Sequence, residues 1–533
     1  MITVEVTGDF LVESSLARVN RGLFGALSRR RDIDLGILTE PTAAPIMGSS
    51  DDALLEAARL RRFLPDPQIS IRHRWPAVFP RIRDGAYVHM QPWEFGSLPV
   101  AWAQGAKDVA DDVWCYSKFI ADMNVRAGVP PERVHVIPLG FDPEVYKPGP
   151  APMSATLRDR VVFLYVGDTI PRKGVDVAVN AYISAFAPNE SVVFIVKDFG
   201  GKETVEGSRF RDHIKTLSGR RDIPPILYVD SYYSDAALAD LYRAASVLVA
   251  PYRGEGFGLP ILEAMACGVA TIATRGGASD DFTTKDTTSH VNAAQIKLGR
   301  TYNGLELVDD AFLLEPVEAE VGAAMRRFYD TPDLARKMGA RAAEVAQDWT
   351  WAKSAEHALA RLQALAQQTP LAKKRDGAAS GIQPFELKIA SRGGEDGVLL
   401  ELFRRLGVDD PIFVECVTPG GEPSISVFLS RALGWRGAVL RADSALYAEF
   451  ASHLATANVP KQFELLVLTA ESDPAWSRFG DFRPKVVVTT DGASAPRALA
   501  ESHGYTYIGS ESHGTSAFFV RSDLLERSRF QAA

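Results

Sequence analysis

Two glutamates eight positions apart, Glu255 and Glu263, bracket a glycine-rich turn in the stretch "YRGEGFGLPILEAMACG", residues 252–268. Gly254, Gly256 and Gly258 lead to Pro260, a residue suited to the first helical position, and Gly268 stands where a helix would stop. This places Gly256, Phe257, Gly258 and Leu259 at a helix N-terminus, whose unpaired N–H groups and positive dipole end attract an anion such as phosphate. Carboxylates do not bind phosphate; they accept hydrogen bonds from hydroxyls, which a ribose or a hexose supplies in pairs. The combination suits a nucleotide sugar, although Glu263, expected in the first helical turn, could also serve simply as a favourable charge there.

The stretch "YVGDTIPRKGVDVAVNAY" ends an expected strand, 161–166, with a turn that delivers Arg172 and Lys173 just before a helix, 175–186. An arginine–lysine pair is often a solvated face. At the C-terminal edge of a parallel sheet, where ligands of such folds bind, two fixed cations can instead stabilise a departing diphosphate without a metal. Asp32 and Asp34 form a D-x-D but precede a strand, the wrong edge for a ligand site, and the nine histidines show no metal-ligand spacing. No metal site is expected.

These residues need a scaffold, and the apolar pattern supplies an α/β one. "ITVEVTG", "SSLARVNRGLFGALSRR" and "IDLGILT" read as strand, helix and strand, a βαβ opening and hence a parallel sheet. "DGAYVHMQPWEFG" and "DDVWCYSKFIADMNVRAG" continue that series to a Pro/Gly-rich stretch at 147–156. A second series runs from "VVFLYVG" through strands "SVVFIVKD" and "PILYVD", helix 235–244 and strand "SVLVAPY", and ends with the helix "WAKSAEHALARLQALAQQ". The polar segment "TPLAKKRDGAASG" reads as a linker. Beyond it "PIFVECV", "GAVLRAD", "FELLVLT" and "PKVVVTTD" are buried-strand candidates, with "YTYIGS" and "TSAFFVR" an antiparallel ending. The expected domains are 1–150, 151–366 with a return helix at 351–366, a linker at 367–382, and 383–533.

At 533 residues, with 46% hydrophobic and 24% charged side chains, the chain has material for about three domains. A formal charge of -8 argues against a nucleic-acid binder. Cys115, Cys267 and Cys416 are far apart and read as small buried hydrophobes in a reducing compartment. With no signal peptide and no run of about eighteen apolar residues, the expected location is the cytoplasm, with room for contact at the inner face of the membrane.

"EGFGLPILE" carries the E-x7-E pattern of the family 4 retaining glycosyltransferases, and "RKG" with the helix after it is similar to that family's phosphate-binding segment. The resemblance extends to "VWCYSKFIADMNVRAGVPPERVHVIPLGFDPEVYKP", "FLLEPVEAEVGAAMRRFYDTPDLARKMG" and "WTWAKSAEHAL", so it covers roughly residues 1–366. It implies a GT-B fold of two Rossmann-like domains facing a cleft. It also implies roles: Glu255 contacts the donor sugar, Glu263 holds the ribose, Arg172 and Lys173 clamp the pyrophosphate, and Gly8 belongs to the loop after the first strand. Many relatives carry an arginine where Asp168 and Thr169 follow "VG" here, which leaves the clamp to Arg172 and Lys173. "HMQPWEFG" resembles the loop that faces the sugar, making His89 and Glu94 cleft candidates and Trp93 either core or platform.

The implied activity is transfer, with retention and no metal, of a sugar from a nucleotide diphosphate to a glycan or lipid-linked acceptor in cell-surface polysaccharide synthesis. No enzymic nucleophile is nominated, because front-face attack with the departing phosphate as base needs none.

"SRGGEDGVLLELFRRLG" with "PIFVECVTPGGEP" resembles the start of an FkbM-type SAM-dependent methyltransferase, and "GYTYIGSESHGTSAFFVRSDL" its end, over about 385–527. Its cofactor loop departs from the family pattern at Cys416, Val417, Pro419 and Pro423, and Asp443 is the candidate for the ribose. The preferred reading is a degenerate domain that binds a partner, acceptor or glycan, with S-adenosylmethionine binding and a bifunctional enzyme as one alternative. A non-catalytic sugar-nucleotide scaffold is another.

Overall fold

A computed structural model of the protein describes residues 1–12, 14–38, 60, 64, 67–79, 85–150, 157, 159–199, 205–368, 382, 394–417, 425–441, 449–468, 480–490, 497–510, 516–528 and 530. Of the expected linkers 147–156 and 367–382, residues 151–156 and 369–381 lie outside the described residues, as do the loop 418–424 and Asp443.

The chain opens with strands β1 (Ile2–Gly8), β2 (Ile33–Leu38), β3 (Ile69–His73) and β4 (Ala86–Met90), paired in parallel in the order β2-β1-β3-β4. Helix Ser15–Ser28 follows β1. Ser14 caps it by accepting from the Ala17 amide at 3.1 Å, and Ala17, Leu23, Phe24 and Leu27 are buried along it. Strands β5 (Asp112–Cys115) and β6 (Val134–Val136) pair in parallel around helix Lys118–Arg126.

The next sheet holds β7 (Val161–Val166), β8 (Val192–Lys197), β9 (Ile226–Val229), β10 (Val247–Ala250), β11 (Ala270–Thr274) and β12 (Thr288–Val291) in the order β12-β11-β10-β7-β8-β9. All its pairs are parallel. Its central strands β7, β8 and β10 are apolar runs buried almost throughout, as crossover helices on both faces require, with Phe163, Phe194, Val247 and Val249 among the packed residues, while the edge strands β9 and β12 are only half-buried. Burying each such side chain stabilises the fold by about 1.5–3 kcal/mol. Helices fall at Val175–Ala185, Asp235–Ala244 and Trp351–Gln368, close to the expected spans. Between β12 and helix Glu318–Asp330 the chain forms a long antiparallel hairpin, β13 (Ala293–Tyr302) and β14 (Leu305–Pro316), which the sequence reading did not anticipate.

The last sheet holds β15 (Ile412–Val417), β16 (Arg436–Arg441), β17 (Gln462–Leu468), β18 (Arg483–Thr490), β19 (Tyr505–Ser510) and β20 (Ser516–Arg521) in the order β16-β15-β17-β18-β20-β19. Four strands are parallel, and β20 runs antiparallel to both β18 and β19, which gives the expected antiparallel ending.

The chain divides into two compact units: Met1–Met90, Val109–Asp111 and Ala360–Ala533 in one, Gln91–Asp108 and Asp112–Leu359 in the other. In the first, Leu38 and Ile382 join the core formed by Val398, Phe403, Leu465 and Val486. In the second, residues Gln91–Asp108 pack with the β7–β12 sheet and the hairpin.

Candidate functional site

In the second unit the strand order reverses at β7, because β8 and β9 lie to one side and β10, β11 and β12 to the other. Loops leaving the C-terminal ends of adjacent strands at such a reversal diverge and open a crevice. The two loops here are 167–174 after β7 and 251–258 after β10, so topology alone delivers both sequence motifs to one place.

The first loop tightens into a short helical turn, Pro171–Lys173, and closes on Gly174 at φ 70°. A Cβ at Gly174 would sit 1.9 Å from the Pro251 carbonyl oxygen, so only glycine lets the two loops touch. The Arg172 carbonyl then accepts from the Arg253 and Gly254 amides at 2.7 and 3.1 Å.

The charged side chains meet in pairs. Lys173 Nζ bonds Glu255 Oε1 directly, with the side chains 18% and 12% exposed. Arg172 reaches Glu94 Oε1 at 3.4 Å and donates to the Gly254 carbonyl at 3.1 Å. Burial opposes the Arg172 charge, but the carboxylates of Glu94, Glu255 and Asp168 outweigh it and hold the guanidinium pKa above its ordinary value. Asp168 is pushed up from the usual carboxylate range by burial, against the pull of Lys173.

The second loop ends at helix Leu259–Ala266, with Gly258 at φ 100° and no side chain capping it. The Gly258 carbonyl accepts from Ile261 and Leu262, Pro260 has no N–H, and among the described residues the amides of Gly258 and Leu259 make no hydrogen bond. Ser117 Oγ donates to the Gly256 carbonyl at 2.9 Å and fixes the turn. Phe257 turns its ring inward, against Phe282 and Trp349 at centroid distances of 4.9 and 6.1 Å, so its contribution to a donor site is backbone alone.

Glu263 corrects one expectation: the helix starts at Leu259, so Glu263 lies one turn in, past the first-turn position where a charge meets the helix dipole. It is 2% exposed, and its Oε2 accepts from Tyr242 Oη at 2.9 Å.

Gly8 and His89 belong to the first unit. Gly8 ends β1, and a Cβ there would meet the His73 carbonyl at 2.5 Å and Asn20 Nδ2 at 2.7 Å. His89 lies on β4, 3% exposed, with its ring against Phe79 at 4.0 Å and Tyr87 Oη at 3.4 Å. Burial lowers its pKa to about 3, so it stays neutral. Trp93 is core: it is 2% exposed and donates to the Ser97 carbonyl. Asp34 lies inside β2, Asp32 just before it accepts from Gln363, and no group of potential metal ligands forms among the described residues. All three cysteines are buried and free.

The sequence reading missed Arg253, inside the opening motif. Its Nε donates to Glu315, one terminal nitrogen to Pro171 O and Asp176, and the other to Asp176 and Glu315, all within 2.6–2.8 Å. Five donors meet five acceptors, which welds both loops and the hairpin together. Its signal was present in "YRGEG", but its partners Asp176 and Glu315 lie 77 and 62 residues away.

Residues 160–296 match the family model described as "Glycosyl transferases group 1". Among curated proteins, the chain is 29% identical over 244 residues to D-inositol 3-phosphate glycosyltransferase of Kineococcus radiotolerans, covering 44% of this chain and 52% of that protein. It is 26% identical over 235 residues to MMP alpha-(1->4)-mannosyltransferase of Mycolicibacterium hassiacum, covering 44% and 49%. The chain thus spans about half the length of these relatives. Among solved structures, Anabaena Alr3699/HepE in complex with UDP-glucose superposes with a TM-score of 0.51 at 13% identity, over 68% of this chain and 100% of that one. A glycosyltransferase from Rickettsia africae gives 0.50 at 13% identity, over 68% and 98%. These two likenesses show the fold: α/β, with parallel-sheet Rossmann-like domains of the GT-B glycosyltransferase type. The stretch similar to group 1 glycosyltransferases contains Arg172, Lys173, Glu255, the helix end at Gly258 and Glu263, whereas Glu94 and Glu315 come from outside it.

Proposed function

We propose that the chain transfers a sugar from a nucleotide diphosphate donor to a hydroxyl of a glycan or lipid-linked acceptor, with retention at the anomeric carbon and without a metal. The observation that carries this reading is the meeting, at the reversal of the sheet, of two cations on one loop with a free helix end on the other. The diphosphate rests on the Gly258 and Leu259 amides, flanked by Arg172 and Lys173, whose fixed charges supply what a metal ion would otherwise give. Each cation is already matched by an acid, so an incoming phosphate competes for Lys173 and frees Glu255 to accept from the sugar hydroxyls. Glu263, oriented by Tyr242, accepts from the ribose.

In the transfer step the bond from the anomeric carbon to the phosphate oxygen breaks and a bond to the acceptor oxygen forms on the same face. The acceptor proton passes to the departing phosphate oxygen, so no protein nucleophile is required. The group 1 similarity of residues 160–296 supports the donor half of this reading. Donor binding by Gly8 and a cleft role for His89 and Glu94 are proposed from the sequence resemblance alone, and the domains are proposed as 1–150, 151–366 and 383–533, with 367–382 as linker. For 383–533 we retain the degenerate methyltransferase-like reading, and a cytoplasmic location, with contact at the membrane's inner face, accompanies the whole.

The test is turnover of UDP-, GDP-, dTDP- and ADP-sugars, with thermal shift as a parallel readout of binding. Donor cleavage that Glu255→Ala abolishes is the expected result. Stabilisation by a donor with no turnover across acceptors would favour a sugar-nucleotide scaffold instead.

A further inference from the structure

The hairpin that follows β12 does more than decorate the sheet, because its second strand bonds both loops that carry acids of the site. Near its C-terminal end Leu314 donates to the Arg253 carbonyl at 2.9 Å, and Glu315 holds the Arg253 side chain. Leu313 crowds the same loop, where a Cβ on Gly254 would lie 2.9 Å from Leu313 Cδ2. Further back along the strand, Phe312 donates to the Phe95 carbonyl and Val308 to the Leu98 carbonyl, both at 2.9 Å. The Asp309 amide donates to Ser97 Oγ at 2.9 Å.

These contacts seize the loop that carries Glu94. Gly96 has φ 74°, and a Cβ there would fall 2.3 Å from the Phe312 ring, so ring and backbone are in direct contact. At the hairpin's turn the Tyr302 ring lies 4.0 Å from that of Phe95. The partners of Arg253 and Phe95 are Leu314 and Phe312. Two residues of extended chain, about 7 Å, therefore set the spacing between the Glu255 loop and the Glu94 loop.

We infer that β14 is a gauge that holds Glu94 against Arg172, and that Phe312 and Tyr302 are positioning residues for the transfer, acting through Glu94. The inference rests on the donor-site reading above. An acid held at a fixed distance aims the Arg172 guanidinium before donor arrives, whereas a freed loop would leave that side chain to sample other directions. The consequence falls on the chemical step more than on donor capture, since Lys173 and the helix end stay in place.

Phe312→Ala, Phe312→Leu and Tyr302→Ala in the full chain test it. Amide exchange of the peptide spanning 91–98 reads the clamp without any substrate, and both alanine variants should raise it about tenfold. With an active donor, Phe312→Ala should lower kcat about tenfold with donor KM within about twofold, and Phe312→Leu should recover most of the loss. In a Glu94→Gln background Phe312→Ala should cost less than about twofold more. Unchanged exchange, or losses that multiply in the double variant, would overturn the gauge. Absence of turnover by the unsubstituted protein on every donor would count against the transfer reading, and the exchange measurement would still decide the clamp.

Discussion

Arg172 and Arg253 stand on facing loops of one unit, each beside its own acids, and are built for opposite purposes. Arg253 spends all five donors on Asp176, Glu315 and Pro171, in planar fork geometry. Burial opposes its charge, and those hydrogen-bonded carboxylates raise its pKa well above the ordinary value. Among the described residues Arg172 makes one hydrogen bond, to Gly254, and one longer ion pair, to Glu94 at 3.4 Å. The saturated arginine is a strut. The under-used one retains N–H groups for a ligand, and its side chain is 23% exposed against 13% for Arg253. Within one pair of loops, donor saturation separates scaffold from site.

The sharpest way to break that contrast is through the other site cation. Lys173→Ala should cost about 10²–10³ in kcat/KM, the scale seen when one preorganised charge or donor at the leaving group is removed. Its unfolding midpoint in urea should fall less than that of Arg253→Ala, because one ion pair is lost and a single carboxylate, Glu255, is left without its partner. Arg253→Ala should do the reverse. Two partly buried acids lose their common partner, and stability should fall by about 2–3 kcal/mol in urea titrations. Arg253→Lys should recover less than half of that, since an ammonium cannot satisfy two carboxylates and a carbonyl in one plane. If Lys173→Ala proved the more destabilising of the two, the division into site and strut would be wrong.

What the sequence made legible follows from the same physics. Strands β7, β8 and β10 were readable because central parallel strands buried on both faces must be apolar throughout. Arg172, Lys173, Glu255 and Glu263 were legible as types at characteristic spacing. The strut was not, because Asp176, Arg253 and Glu315 are joined by folding alone and no local pattern links them. The hairpin escaped for a different reason. Its strands read "AAQIKLGRTY" and "LELVDDAFLLEP", with charged residues on the exposed faces and Gly299 at the irregular pairings, so they carry little alternation. The position of Glu263 was misjudged by one residue because Leu259, rather than Pro260, begins the helix, which moves Glu263 from the fourth helical position to the fifth, a shift of the size that terminal assignments commonly show.

The same contrast between saturated and available groups predicts a smaller effect at the ribose acid. Glu263→Gln keeps the shape and an oxygen for Tyr242, but replaces a charged acceptor by a neutral one. A hydrogen bond to a charged group exceeds its neutral counterpart by roughly 1 kcal/mol, so donor KM should rise about five- to tenfold with kcat little changed. A nucleotide lacking the ribose hydroxyls should bind the variant and the parent alike, which separates loss of that contact from a general disturbance of the helix.

Tyr242→Phe gives the smallest effect and the finest test. Tyr242 is fully buried, and its hydroxyl donates to Glu263 Oε2 at 2.9 Å. Removing that donor leaves the ring packing intact and takes one hydrogen bond from the carboxylate. If Glu263 were purely structural, stability alone would fall, by about 1–2 kcal/mol, and donor KM would stay put. If Tyr242 aims Glu263 at the ribose, donor KM should rise about two- to threefold as well, and the rise should vanish in the Glu263→Gln background, because a misaimed acid matters only while the acid is there to be aimed.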